Sequence, residues 1–67
     1  VLTKTNTILN EFKRVETDLL LAVLFTEWDK QFIAITFMCE VGLITCYYDY
    51  FERRFIALKL DEQIVKL

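Results

Sequence analysis

The sequence predicts an all-α fold, a helical hairpin of two long helices that packs as an oligomer. Three observations carry the prediction. Ile8, Phe12, Val15, Leu19 and Ala22 recur at spacings of four and three, which places them on one helical stripe. Ala34, Phe37, Val41, Ile44, Tyr48, Phe51, Phe55 and Leu58 follow the same spacing without a break, the seam of a helix pair. Turn formers are scarce: Gly42 is the one glycine, proline is absent, and asparagine stands only at positions 6 and 10. A meander of strands needs several tight turns, and those favour Gly, Asn, Asp and Pro. The alternative is an α+β fold with an N-terminal helix and a small antiparallel sheet.

The first helix is expected over about residues 5–25. Thr3, Thr5 and Asn6 are suitable N-caps, because their side-chain oxygens accept the free backbone N–H groups of a first turn. Glu11, Lys13, Arg14 and Glu16 lie mostly off the apolar stripe. From Leu19 to Phe25 every residue is apolar, so this stretch should be surrounded by protein or lipid. The polar run Thr26, Glu27, Asp29, Lys30 and Gln31, with Trp28 inside it, reads as the connection, over about 26–31. Thr26 or Asp29 would cap the next helix.

A second helical region is expected over about 29–60, bent near Gly42. Asp49 with Arg53, and Glu62 with Lys66, place an acid four residues before a base, which supports a helix by a few tenths of a kcal/mol. The competing strand reading has its own support. The runs 32–37 and 43–48 are rich in β-branched and aromatic residues. Glu40-Val41-Gly42 would then be a hairpin loop.

With 67 residues the chain holds one small domain or a fragment of one, and a domain of this size has a marginal core without help. The start at Val1 and the absence of Ser, His and Pro fit a fragment or a designed sequence. The apolar share of 55% exceeds the usual range of about 45–50%. Large exposed apolar patches mark protein or membrane contacts, so a partner surface is expected.

Chemistry is sparsely provided. Without Ser and His there is no serine nucleophile, no Cys–His pair and no histidine base. Cys39 has Glu40 and apolar groups beside it, the wrong setting for a reactive thiolate. On a helix Cys39 and Cys46 would lie roughly 10 Å apart by helical rise, too far for a mutual bridge. In a hairpin of strands they would approach. They read as small buried hydrophobes, or else as a bridge within or between chains. No CxxC, compact acidic cluster or glycine-rich phosphate loop is present, so neither metal nor cofactor is expected. Glu40 interrupts an apolar run. It either reaches the surface or is a buried charge that a basic group of another chain must pair.

The expected function is a non-catalytic protein–protein interaction or oligomerisation module with an apolar, aromatic-rich helical surface. Its contact residues are Ile8, Phe12, Val15 and Leu19 on the first stripe, and Phe37, Val41, Ile44, Tyr48, Phe51 and Phe55 on the second. The dense aromatics at Tyr47, Tyr48, Tyr50, Phe51 and Phe55 suit an interface. The partner is a second copy or a larger complex. A second reading is a small membrane-associated protein spanning at 32–51, with Trp28 and Lys30 at one end and Arg53 and Arg54 at the other as anchors. Glu40 and Asp49 speak against it. A third is a regulatory nucleic-acid-binding hairpin, which the net charge of −2 disfavours. The basic pairs Lys13-Arg14 and Arg53-Arg54 each have acids nearby. No basic, apolar, small-residue leader is visible, which favours a cytoplasmic location.

Overall fold

The computed structural model describes residues 3–25 and 31–67. They form a helix, α1 (Thr3–Leu24), followed by β1 (Phe32–Cys39), β2 (Gly42–Asp49), β3 (Arg54–Leu60) and β4 (Gln63–Lys66). The strands make one antiparallel meander in the order β1-β2-β3-β4. The fold is therefore α+β, and the expected all-α helical hairpin is wrong. Residues 32–60, assigned to a second helix, are strand apart from their turns. The caps proposed at Thr26 and Asp29, and the anchors Trp28 and Lys30, lie outside the described residues.

The helix uses most of the stripe its spacing suggests, but Val23 is buried in place of Ala22, which is exposed. Ile8, Phe12, Leu19 and Val23 are buried, and Val15 packs partly against them. Each buried side chain of this size contributes about 1.5–3 kcal/mol relative to exposure. The helix starts earlier than the caps implied. Thr5 and Asn6 lie inside it, and the Thr5 hydroxyl accepts a 2.8 Å hydrogen bond from the Gln63 side-chain amide at the start of β4. That bond ties the first turns of α1 to the sheet. At the other end the Phe25 N–H donates to the Ala22 carbonyl at 3.2 Å, a tightened last turn.

The register explains why the three-four ladder misled. Rows across the inner face run Ile35–Cys46–Leu58–Val65 and Phe37–Ile44–Leu60–Gln63. The ladder members Phe37, Ile44, Tyr48, Phe55 and Leu58 do share the core. They do so because strand alternation, shifted by an irregularity at Tyr47/Tyr48, brings them to one face. Ala34 points away, and Val41 and Phe51 sit in turns.

Turn chemistry misled for a second reason. Three tight connections are built here with one glycine. Gly42, at φ +127°, follows the two-residue turn at Glu40-Val41. Asp61, at φ 54°, opens the turn between β3 and β4, and Asp tolerates the left-handed region. Between β2 and β3, Arg53 takes φ 60° and its N–H donates to the Asp49 carbonyl at 2.7 Å. The Asp49–Arg53 spacing therefore marks a single helical-type turn, not a helix. Glu62 lies in the last turn and Lys66 ends β4, so their spacing supports no helix.

Candidate interaction surface

The two faces of the sheet are unlike. The inner face, under α1, carries Ile44, Cys46, Tyr48, Phe55, Leu58 and Leu60, all buried. An edge-to-face aromatic chain joins helix to sheet: Phe12 to Phe55 at 5.2 Å, Phe55 to Tyr48 at 5.0 Å, Tyr48 to Tyr50 at 5.3 Å between ring centroids. Such pairs add about 0.5–1.5 kcal/mol beyond their burial. Among the described residues no helix covers the outer face. Its rows are Thr36–Thr45–Lys59–Ile64 and Ala34–Tyr47–Ala57–Lys66, with Met38 beside Leu43 at the turn end. Met38, Leu43 and Ile64 are 69%, 55% and 60% exposed.

The core is densest over β2 and β3. The β1 residues Ile33, Ile35 and Phe37 point inward but are only partly buried. The hydrogen-bond alternation of β1 follows from its neighbour. The Tyr50 N–H donates to the Gln31 carbonyl at 2.8 Å, continuing the ladder beyond Phe32↔Asp49. Residues opposite one another alternate between hydrogen-bonded and non-bonded pairs. The odd-numbered residues of β1 therefore bond to β2. Phe32, Ala34, Thr36 and Met38 turn their N–H and C=O groups to the free edge. The Thr36–Thr45 hydroxyl contact at 3.2 Å fits this, since non-bonded pairs bring side chains closest.

The sequence-predicted contact residues fall into three groups. Ile8, Phe12, Leu19, Ile44, Tyr48 and Phe55 are buried in the chain's own core and present nothing to a partner. Val15 and Phe37 are half-buried at its margin. Val41 and Phe51 are exposed in turns, Phe51 by 77%. Sequence reasoning missed Phe32, Met38, Leu43 and Ile64; the stretch 19–25, expected to be surrounded by protein or lipid, leaves Leu20, Leu21, Leu24 and Phe25 exposed at the end of α1. A period-two reading of 32–39 would have found the first two.

Glu40 is exposed in the first turn, with the Arg14 guanidinium within electrostatic reach. Of the two readings of Glu40, this is the one in which it reaches the surface; it is not a buried charge. Arg14 pairs with Glu11 at 2.9 Å, and Arg54 with Glu52 at 3.1 Å. Lys13, Arg53 and Arg54 do converge on a shallow groove between α1 and β3, but Glu16 lines it as well. The segment 32–51 is a strand hairpin, not a spanning helix. Among the described residues no helix is long and apolar enough to cross a membrane, and no group of three or more His, Cys, Asp and Glu side chains is placed to hold a metal ion.

The two cysteines are free. Cys39 lies opposite Gly42, whereas Cys46 lies opposite Ile35, four residues further along the hairpin. That is roughly 13 Å at the rise of a strand, so the hairpin does not bring them together. Cys39 donates to the Gly42 carbonyl at 3.4 Å. Cys46 is fully buried, and burial pushes its thiol from 9.0 up to about 12. In that interval the unfolded chain has lost a proton that the folded chain keeps, so stability falls as pH rises. The slope approaches about 1.4 kcal/mol per pH unit. Urea melts between pH 8 and 11 should show this fall, and Cys46→Ala should flatten it. An equal slope in the variant contradicts the assignment.

No family model, curated protein or solved structure matches the chain.

Proposed function

We propose that this chain is a non-catalytic protein–protein interaction module that associates first with copies of itself. The observation that carries the reading is the sheet, covered on one side only. Its open side and its β1 edge, unpaired among the described residues, display Phe32, Met38, Leu43 and Ile64. A chain of 67 residues has little interior, and apolar groups left exposed on one face favour association over solvation. The surface proposed differs from the one expected from helical spacing, because the aromatic stripe is consumed by the fold. No specific observation favours the membrane or nucleic-acid readings.

Sedimentation equilibrium from 1 to 100 μM in detergent-free buffer tests the proposal. The weight-average mass should rise above the 8.0 kDa of one chain. A single-chain mass across the whole range, with a cooperative melt, overturns it.

A further inference from the structure

The two edges of the sheet are chemically different. β4 is short, Gln63–Lys66, and ends on a lysine. Natural sheets blunt edges in this way, with brevity and Lys, to prevent pairing with other chains. β1 has none of these devices. It is eight residues long, Phe32–Cys39, with no charge, no proline and strict in–out alternation. Its free N–H and C=O groups belong to Phe32, Ala34, Thr36 and Met38, as the ladder with β2 requires.

Resting on the interaction reading above, we infer that β1 pairs antiparallel with β1 of a second copy, about a two-fold axis through Ile35 and perpendicular to the sheet. The register follows from hydrogen-bond parity. Only even-numbered residues of β1 offer outward groups, so each must face an even-numbered residue of the other copy. Among such registers, one uses all of them. It sets Phe32 opposite Met38 of the second copy and Ala34 opposite Thr36 of the second copy, with the reciprocal pairs.

The side chains agree with that register. On the outer face it brings the exposed Met38 thioether beside the Phe32 ring of the other copy, a favourable sulfur–aromatic contact. Between them, small Ala34 meets β-branched Thr36. A perpendicular axis keeps both helices on the same side of the joined sheet. On that side Ile35 meets Ile35 of the second copy, and Ile33 meets Phe37 of the second copy. These inward residues are only partly buried within one chain. No charge is placed opposite a like charge, since β1 carries none.

The symmetry also stops the assembly. An isologous contact uses the same edge on both copies. The joined sheet then ends on β4 at both sides, the short edges with Lys66. The product is a closed dimer, not a fibre.

The test is amide hydrogen exchange of the full chain by NMR, above and below the association midpoint, with mass read on the same samples. The amides of Phe32, Ala34, Thr36 and Met38 should slow at least tenfold on association. Those of Ile33, Ile35 and Phe37, already bonded to β2, should change little. Thr36→Pro removes an outward donor while sparing the bonds to β2, as proline is tolerated only where its nitrogen faces the free edge. It should stay at single-chain mass with the helix–sheet circular dichroism retained. Should that variant fail to fold, Thr36→Lys, which places a charge on the pairing edge, should raise the dissociation constant at least tenfold. A dimer with fast-exchanging outward amides overturns the edge pairing and leaves the interaction reading standing. A monomer at all concentrations overturns both. Open-ended aggregates overturn the closed two-fold arrangement.

Discussion

Leu58→Ala should leave the chain largely unfolded at 25 °C. Leu58 is fully buried in β3, between Cys46 of β2 and Val65 of β4 on the row beneath α1. Truncating a leucine at such a site removes its transfer free energy and leaves a cavity, a loss of about 2–5 kcal/mol. A core this small rarely supplies more than about 3–5 kcal/mol in total. The loss is therefore comparable to the whole stability. Phe51→Ala provides the contrast. Phe51 is the larger side chain, but it stands 77% exposed in the β2–β3 turn, so its removal should change stability by no more than about 0.5 kcal/mol. Urea titrations followed by far-UV circular dichroism, at one fixed protein concentration, compare the two. Equal losses would mean that the assigned core is wrong, because the helical-seam reading treats Leu58 and Phe51 as members of one ladder.

That contrast also shows how far the sequence could be read. The stripe Ile8, Phe12, Val15, Leu19 was legible because α1 has one apolar side before residue 19, and a 3.6-residue period has no competitor there. Residues 32–60 were not, because apolar residues are so dense that both periods find matches. Phe37, Ile44, Phe55 and Leu58 satisfy the three-four rule and also lie on the inner face of the sheet. The deciding signals were local. Thr36, the polar residue between Ile35 and Phe37, marks the outward side of β1. Gly42 supplies the unusual φ that follows the first turn. The last two turns were hidden because they use Asp61 and Arg53 at positive φ, positions where glycine or asparagine is the usual signature.

The candidate surface was legible only as a quantity. A 55% apolar share in 67 residues implies that some apolar groups stay outside, whatever the fold. Which groups stay outside depends on register, and a one-residue change of register exchanges the two faces of a strand. Aromatic density pointed to Tyr48 and Phe55, but large flat rings are also the best material for a small core. The core claims them, and the apolar groups left exposed on the sheet are Phe32, Met38, Leu43 and Ile64.

Asp49→Ala should destabilise the chain by about 1–3 kcal/mol, the larger effect among its polar positions. Asp49 ends β2 and is only 5% exposed. One carboxylate oxygen, Oδ1, accepts from the Phe51 N–H at 2.8 Å and from the Glu52 N–H at 3.2 Å. The backbone carbonyl of the same residue accepts from the Arg53 N–H. One residue thus organises the whole turn from 50 to 53, and it does so in place of glycine. Arg53 is held at φ 60°, a conformation that disfavours side chains with a Cβ. The bonds to Asp49 offset that cost. Alanine removes the acceptor, leaves both donors to water, and leaves the strain at Arg53 unopposed. Asn keeps an oxygen at the same place, so Asp49→Asn should lose less than half as much. Arg53→Gly, which relieves the strain, should recover part of the stability lost in Asp49→Ala. Urea midpoints of the two single variants and the double variant measure this. A loss equal for Ala and Asn, with no recovery from Arg53→Gly, would show that the turn is held by the strand ladder alone. A graded loss with recovery would show why a chain with one glycine can still form a four-stranded meander: a buried carboxylate fixes the turn that its backbone would otherwise resist.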